Sequence, residues 1–175
     1  MRMRLSLVDR KLRNNFPRYL CQVSLAAGVL AAALGFDSFV AGGALNRAVI
    51  VAAVASTAFI LFITPHSKGS RPRRVIGGPL IGLAVPGALA LLAPGLVDVI
   101  VSSHPLLFIL YAALIVGVTM FLMAATGTEH PPGAGVALGV VAHGFSWQLA
   151  LFVAGGVAIM VCLHWLLRNE LKDLD

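Results

Sequence analysis

The chain has 175 residues, 59% of them hydrophobic and 11% charged, against about 25% charged in an ordinary soluble domain. Its 13 Lys and Arg outnumber its 7 Asp and Glu, but few aromatics interleave the charges and no nucleic-acid motif appears. These figures exclude a soluble domain and give no support to a nucleic-acid partner.

In chain order, 1–18 is a polar segment carrying Arg2, Arg4, Arg10, Lys11, Arg13 and Arg18. An apolar block from Tyr19 to Leu34 follows, and Phe36, Asp37 and Ser38 read as a short turn. Further blocks run from Ala48 to Thr64, Val75 to Leu92, Leu106 to Ala125 and Phe145 to Leu167. Each is near the roughly 20 residues that a helix needs to cross a hydrocarbon core of about 30 Å. Pro94 and Gly95 open an expected loop that ends near His104 and Pro105. A shorter stretch, Gly133 to Ala142, is expected to be a re-entrant or half-helix, although a full crossing stays open. The expected fold is an all-α polytopic transmembrane bundle of about five spanning helices plus that short segment. Its parts are a basic N-terminal segment (1–18), a transmembrane domain (19–167) and a charged tail (168–175). Four more apolar blocks follow the first, so the first reads as a membrane helix and not a cleaved signal.

The N-terminal segment and the Pro65–Arg74 loop hold ten of the 13 basic residues. By the positive-inside rule the N-terminus, that loop and the His130 loop are expected in the cytoplasm, with the chain in the cell (inner) membrane. The tail mixes Arg168 and Lys172 with Glu170, Asp173 and Asp175, which leaves its side open. Cys21 and Cys162 each sit inside an apolar block and read as packing residues. His66, His104, His130, His143 and His164 are scattered, acids are few, and no His-x-x-x-His or His-Glu-x-x-His pattern occurs. No enzyme activity, metal or cofactor is therefore expected.

Two segments carry chemistry. One is Thr64-Pro-His-Ser-Lys-Gly-Ser-Arg-Pro-Arg-Arg-Val-Ile-Gly-Gly and the other Thr126-Gly-Thr-Glu-His-Pro-Pro-Gly-Ala-Gly. Each places Pro where a helix can begin, and a helix start suits an anion. Thr126 and Thr128 can cap or donate, and His130 can donate or switch near neutral pH. Glu129 repels anions unless it pairs with His130 or an Arg of the other loop. Ordinary loop chemistry explains the same residues and stays open. Gly77 and the spaced pairs Gly78/Gly82 and Gly135/Gly139 read as helix-packing positions. In one variant the two glycine faces meet and bring both helix starts together.

Thr126-Gly-Thr-x-His-Pro-Pro-Gly-Ala-Gly-x-Ala-Leu138 resembles the signature of the HPP family of integral membrane proteins. Pro65, with Pro72-Arg73-x-Val75-Ile76-Gly77-Gly78, is similar to that family's second motif, and Ser56 and Thr57 stand where the family has small residues. The likeness covers about Ala48 to Leu167. Arg71 and Arg74 replace the family's Gln and Asn, and Pro79 replaces a His. Some plastid and cyanobacterial relatives are implicated in nitrite transport, so the resemblance implies a small-anion transporter or channel, with nitrite the best candidate. A non-transporting membrane sensor or scaffold is the alternative. On the transport reading Arg73 attracts the anion and His130 donates to it. Arg71, Arg74, Ser56, Thr57, Thr126, Thr128, Pro131, Pro132 and Gly133 complete the expected substrate contacts. The expected partners are the lipid bilayer, a small anion and, through the glycine faces, a homo-oligomer.

Overall fold

The computed structural model describes residues 10–41 and 48–174. Arg2, Arg4 and Arg47 lie outside them. Seven helices follow in order: α1 (Arg10–Ala41), α2 (Ala48–Ile63), α3 (Pro72–Leu92), α4 (Pro94–Ser103), α5 (Pro105–Thr126), α6 (Pro131–His143) and α7 (Trp147–Leu167). No strand occurs among the described residues. The chain is an all-α helical membrane protein. Among the described residues three helices, α3, α5 and α7, are long and apolar enough to cross a membrane; Tyr19–Ala32 and Ala48–Ile63 are shorter apolar helical stretches.

Proline starts four of the helices, as Pro72, Pro94, Pro105 and Pro131 stand at their first positions. The fixed φ of Pro suits that position, where no N–H is needed. Gly127 ends α5 in the left-handed region at φ 64°, a conformation that glycine adopts without a Cβ clash. Ser146 opens α7 by accepting a hydrogen bond from the Leu149 N–H at 3.2 Å.

Two sequence expectations are corrected here. Phe36, Asp37 and Ser38 form no turn, since α1 continues through them to Ala41. Asp and Ser are only mildly unfavourable inside a helix, too weakly to end one by themselves. The expected loop after Pro94 is the ten-residue α4. Pro94 begins a helix there, and the mostly apolar stretch from Leu96 to Val101, broken by Asp98, continues it.

Contacts between helices order the bundle. Thr128, just before α6, and Gly133 and Val136 within it meet Gly77 and Gly82 of α3 in ascending order, so α3 and α6 run parallel. His130, Gly135 and Gly139 meet Thr57, Ala53 and Ile50 of α2 in descending order, so α2 and α6 are antiparallel. The end of α2, the start of α3, the end of α5 and the start of α6 therefore share one end of the molecule, the basic end. The tail joins them: the Leu174 N–H donates to the Ile63 carbonyl (2.9 Å) and the His66 N–H to Asp173 Oδ1 (2.9 Å). Gln22 of α1 donates to the Phe62 and Lys172 carbonyls (2.8 and 2.9 Å).

The tail thus lies on the side of the cationic loop, the alternative that follows when the short segment crosses. α6 does not double back. Its 13 residues reach about 20 Å, roughly two-thirds of the core, and Gly144, Phe145 and Ser146 complete the passage to α7. The main core gathers Ile50, Leu61, Phe62, Val75, Val136 and Phe152. Large apolar side chains such as Leu114, Phe121, Leu151 and Leu166 stay exposed, as helices whose solvent is hydrocarbon require.

Candidate functional site

The two motif segments meet at the basic end, and glycine makes the meeting possible. A Cβ on Gly77 would stand 2.5 Å from Thr128 Cγ2, and one on Gly78 would stand 2.5 Å from His130 Cβ. Gly82 meets the backbone of Gly133 in the same way. The α3–α6 seam is therefore a backbone contact. Gly135 and Gly139 face the other way, onto Ala53 and Ile50 of α2. So the two spaced glycine pairs do not face one another. α6 is a wedge with small residues on both sides, and Gly133 makes the contact with α3.

The arginines of the cationic loop separate. The Arg73 guanidinium donates from Nη2 to the Thr126 carbonyl at 2.6 Å. It supplies positive charge where the carbonyls of α5 run out of partners. Arg74 pairs with Glu129, Nη2 to Oε2 at 2.8 Å. Of the partners open to Glu129 it takes the arginine, which neutralises both groups. Arg71 lines a different recess, between α3 and α7.

His130 is fully buried. Its Nε2 lies 3.1 Å from Thr57 Oγ1, and its Nδ1 is buried with no hydrogen-bond partner among the described residues. A backbone group of Gly69 also faces the ring. Thr57 Oγ1 is 3.1 Å from the Ala53 carbonyl as well. Its single proton therefore has two destinations. If it goes to Ala53, the hydroxyl accepts from Nε2–H and Nδ1 presents a lone pair. If it goes to Nε2, Nδ1–H is left as a donor. A buried polar atom without a partner is uncommon in a folded protein and calls for an explanation.

Thr128 is buried beside this pair and shares a 2.8 Å hydrogen bond with the exposed Thr126. Thr126 Oγ1 is also 2.7 Å from the Leu122 carbonyl. Ser56 does not join Thr57. It is exposed, donates to the Ala52 carbonyl (2.8 Å) and lines a shallow groove with Pro131 and Pro132 between α2 and α6.

The helix starts themselves offer little hydrogen bonding. Pro131 and Pro132 have no N–H, and the Gly133 N–H donates to the His130 carbonyl at 2.8 Å. At α3, Pro72 has none, and the Arg74 and Val75 N–H groups donate to the Arg71 carbonyl. The expectation of exposed amide ends is corrected on this point: side chains and the summed helix dipoles remain, while almost no free amide does.

Of the other histidines, His104 caps α5 by accepting from the Leu106 N–H at 3.2 Å, and His143 is exposed at the end of α6. His164 is buried against the Pro65 carbonyl at 3.2 Å. Cys21 and Cys162 are free and exposed, not packed inside. Among the described residues no three His, Cys, Asp or Glu side chains stand close enough to hold a metal ion. Sequence reasoning missed Gln22 and His164, each of which ties helices to loops. Their signal was polarity inside an apolar block.

A family model described as HPP, transmembrane region, matches residues 13–173. No curated protein and no solved structure matches the chain.

Proposed function

Because the chain belongs to the HPP transmembrane family, we propose that it carries a small monovalent anion across a membrane, with nitrite the best candidate. One observation supports this above the rest: the His130 ring is buried, held on one side by Thr57 and faced by a backbone group of Gly69, while among the described residues Nδ1 makes no hydrogen bond of its own. With the Thr57 O–H donating to Nε2, the ring carries its own proton at Nδ1, a donor set among apolar helices and ready for an acceptor. The parallel α3 and α6 point their positive dipole ends to the same mouth. Arg73 is exposed there and adds its charge. Arg74 adds little, because Glu129 neutralises it.

The α3–α6 seam is closed by backbone contact. On this reading the anion reaches His130 only when the Gly127–Glu129 connector shifts, which makes the described state a closed one. The same seam favours the second reading, a sensor or scaffold that moves nothing. On the positive-inside rule we place the basic end in the cytoplasm and the protein in the cell (inner) membrane. Purified protein in proteoliposomes, assayed with nitrite, nitrate, formate and chloride, separates the two readings. Flux of one or more anions above protein-free vesicles supports transport. No flux of any, with folded protein confirmed, overturns it.

A further inference from the structure

A second recess lies away from His130, between α3 and α7, with a volume of about 880 Å³. Its basic end is lined by Arg71, Arg168, His66 and Ser67, and its wall is apolar down to Leu80 and Val153. Ala154 and Ala158 of α7 face it with short side chains, and this is why a groove exists. Beside its basic end a shallower recess continues past Arg168 to Asn169. Among the described residues neither recess has an Asp or Glu in its lining, although Asp173 of the tail contacts His66. Trp165 lines both and is 68% exposed. An exposed Trp at the end of a spanning helix marks the level of lipid headgroups.

From these observations we propose that the α3–α7 groove holds an anionic glycerophospholipid, its phosphate on Arg71 and Arg168 and one acyl chain along the wall to Val153. The lengths agree. Val153 and Arg168 are 15 residues apart on α7, about 22 Å, which exceeds the roughly 15 Å of hydrocarbon in one leaflet. The charges agree as well, since basic pockets between membrane helices suit anionic headgroups. A second copy is the poorer occupant. Two-fold packing in the same orientation would set Arg71 and Arg168 against themselves. The inference assigns Arg71 to lipid and does not rest on anion transport.

The test uses the detergent-solubilised full chain carrying Trp147→Phe, which leaves Trp165 as the single tryptophan. Brominated phosphatidylglycerol and brominated phosphatidylcholine are titrated separately, and quenching of Trp165 is read. The expected result is half-maximal quenching at about tenfold lower phosphatidylglycerol than phosphatidylcholine. Arg71→Gln with Arg168→Gln should abolish the difference, with elution on gel filtration unchanged. Ala154→Leu with Ala158→Leu, which fills the wall, should weaken quenching by both lipids. Equal quenching by the two lipids in the parent chain overturns the proposal. So does a preference that survives the double arginine change. Quenching by neither lipid, with a dimer seen by light scattering, assigns the groove to a second copy and also overturns it.

Discussion

Gly82 of α3 lies so close to Gly133 of α6 that a Cβ on Gly82 would overlap the Gly133 carbonyl oxygen. The neighbour is backbone, so no side chain can swing away to make room. Gly82→Ala is expected to destabilise the protein by about 1–3 kcal/mol or more through overpacking. Gly156→Ala is the control, because Gly156 is buried but a Cβ there meets nothing within 4 Å. Thermal unfolding in detergent should show a clear loss for the first variant and little change for the second. Equal behaviour would mean that the seam is looser than described.

Among the described residues, Thr57 is the one side chain that hydrogen-bonds the His130 ring. Thr57→Val keeps the shape and removes the hydroxyl, leaving both ring nitrogens buried without side-chain partners. A cost of about 1–3 kcal/mol is expected, and Thr57→Ser should restore most of it. A Val variant as stable as the parent would remove any structural role for the pair.

Gln22 ties α1 to the end of α2 and to the tail through the Phe62 and Lys172 carbonyls. Tyr19 adds a hydrogen bond to the Leu174 carbonyl. Gln22→Leu should cost about 1–3 kcal/mol and release the tail, so that trypsin cuts after Arg168 and Lys172 faster than in the parent. Unchanged cleavage would show that Leu171 and Leu174, both buried, hold the tail by themselves.

The Arg74–Glu129 pair is partly exposed on both sides, so its contribution to stability should stay within about 1 kcal/mol. Its electrostatic role at the mouth is the larger one on the transport reading. Glu129→Gln frees the Arg74 charge and should raise nitrite flux at low ionic strength, with the gain fading as salt is added. A drop in flux would put Glu129 in a role of its own.

Much of this fold is readable from the residues alone. The apolar blocks starting at Tyr19, Ala48, Val75, Leu106 and Phe145 are all helical, because block length and composition suffice when hydrocarbon is the solvent. Proline was the ambiguous signal. Pro94 reads equally as a loop opener and as a first helical residue, and the second applies. Facing glycine pairs were the expected means of bringing the two helix starts together; the starts do meet, but Gly77, Gly78 and Gly82 pack on Thr128, His130 and Gly133 instead. That Gly135 and Gly139 face α2 was not foreseeable, since a helix with small residues on two sides does not announce which neighbour each side meets. The separation of Arg71, Arg73 and Arg74 was also hidden. Three cations within four positions look like one cluster until the backbone turns at the start of α3 and sends them to α7, to the Thr126 carbonyl and to Glu129.

The most direct test of the functional account is nitrite flux into proteoliposomes, compared between the parent chain and His130→Ala, each shown to be folded by gel filtration and thermal unfolding. The account predicts parent flux well above that of protein-free vesicles and a loss of about tenfold or more in the variant, the scale of one buried hydrogen bond to a charged group. Parent and variant fluxes that coincide would contradict it, whether both are high or both are absent.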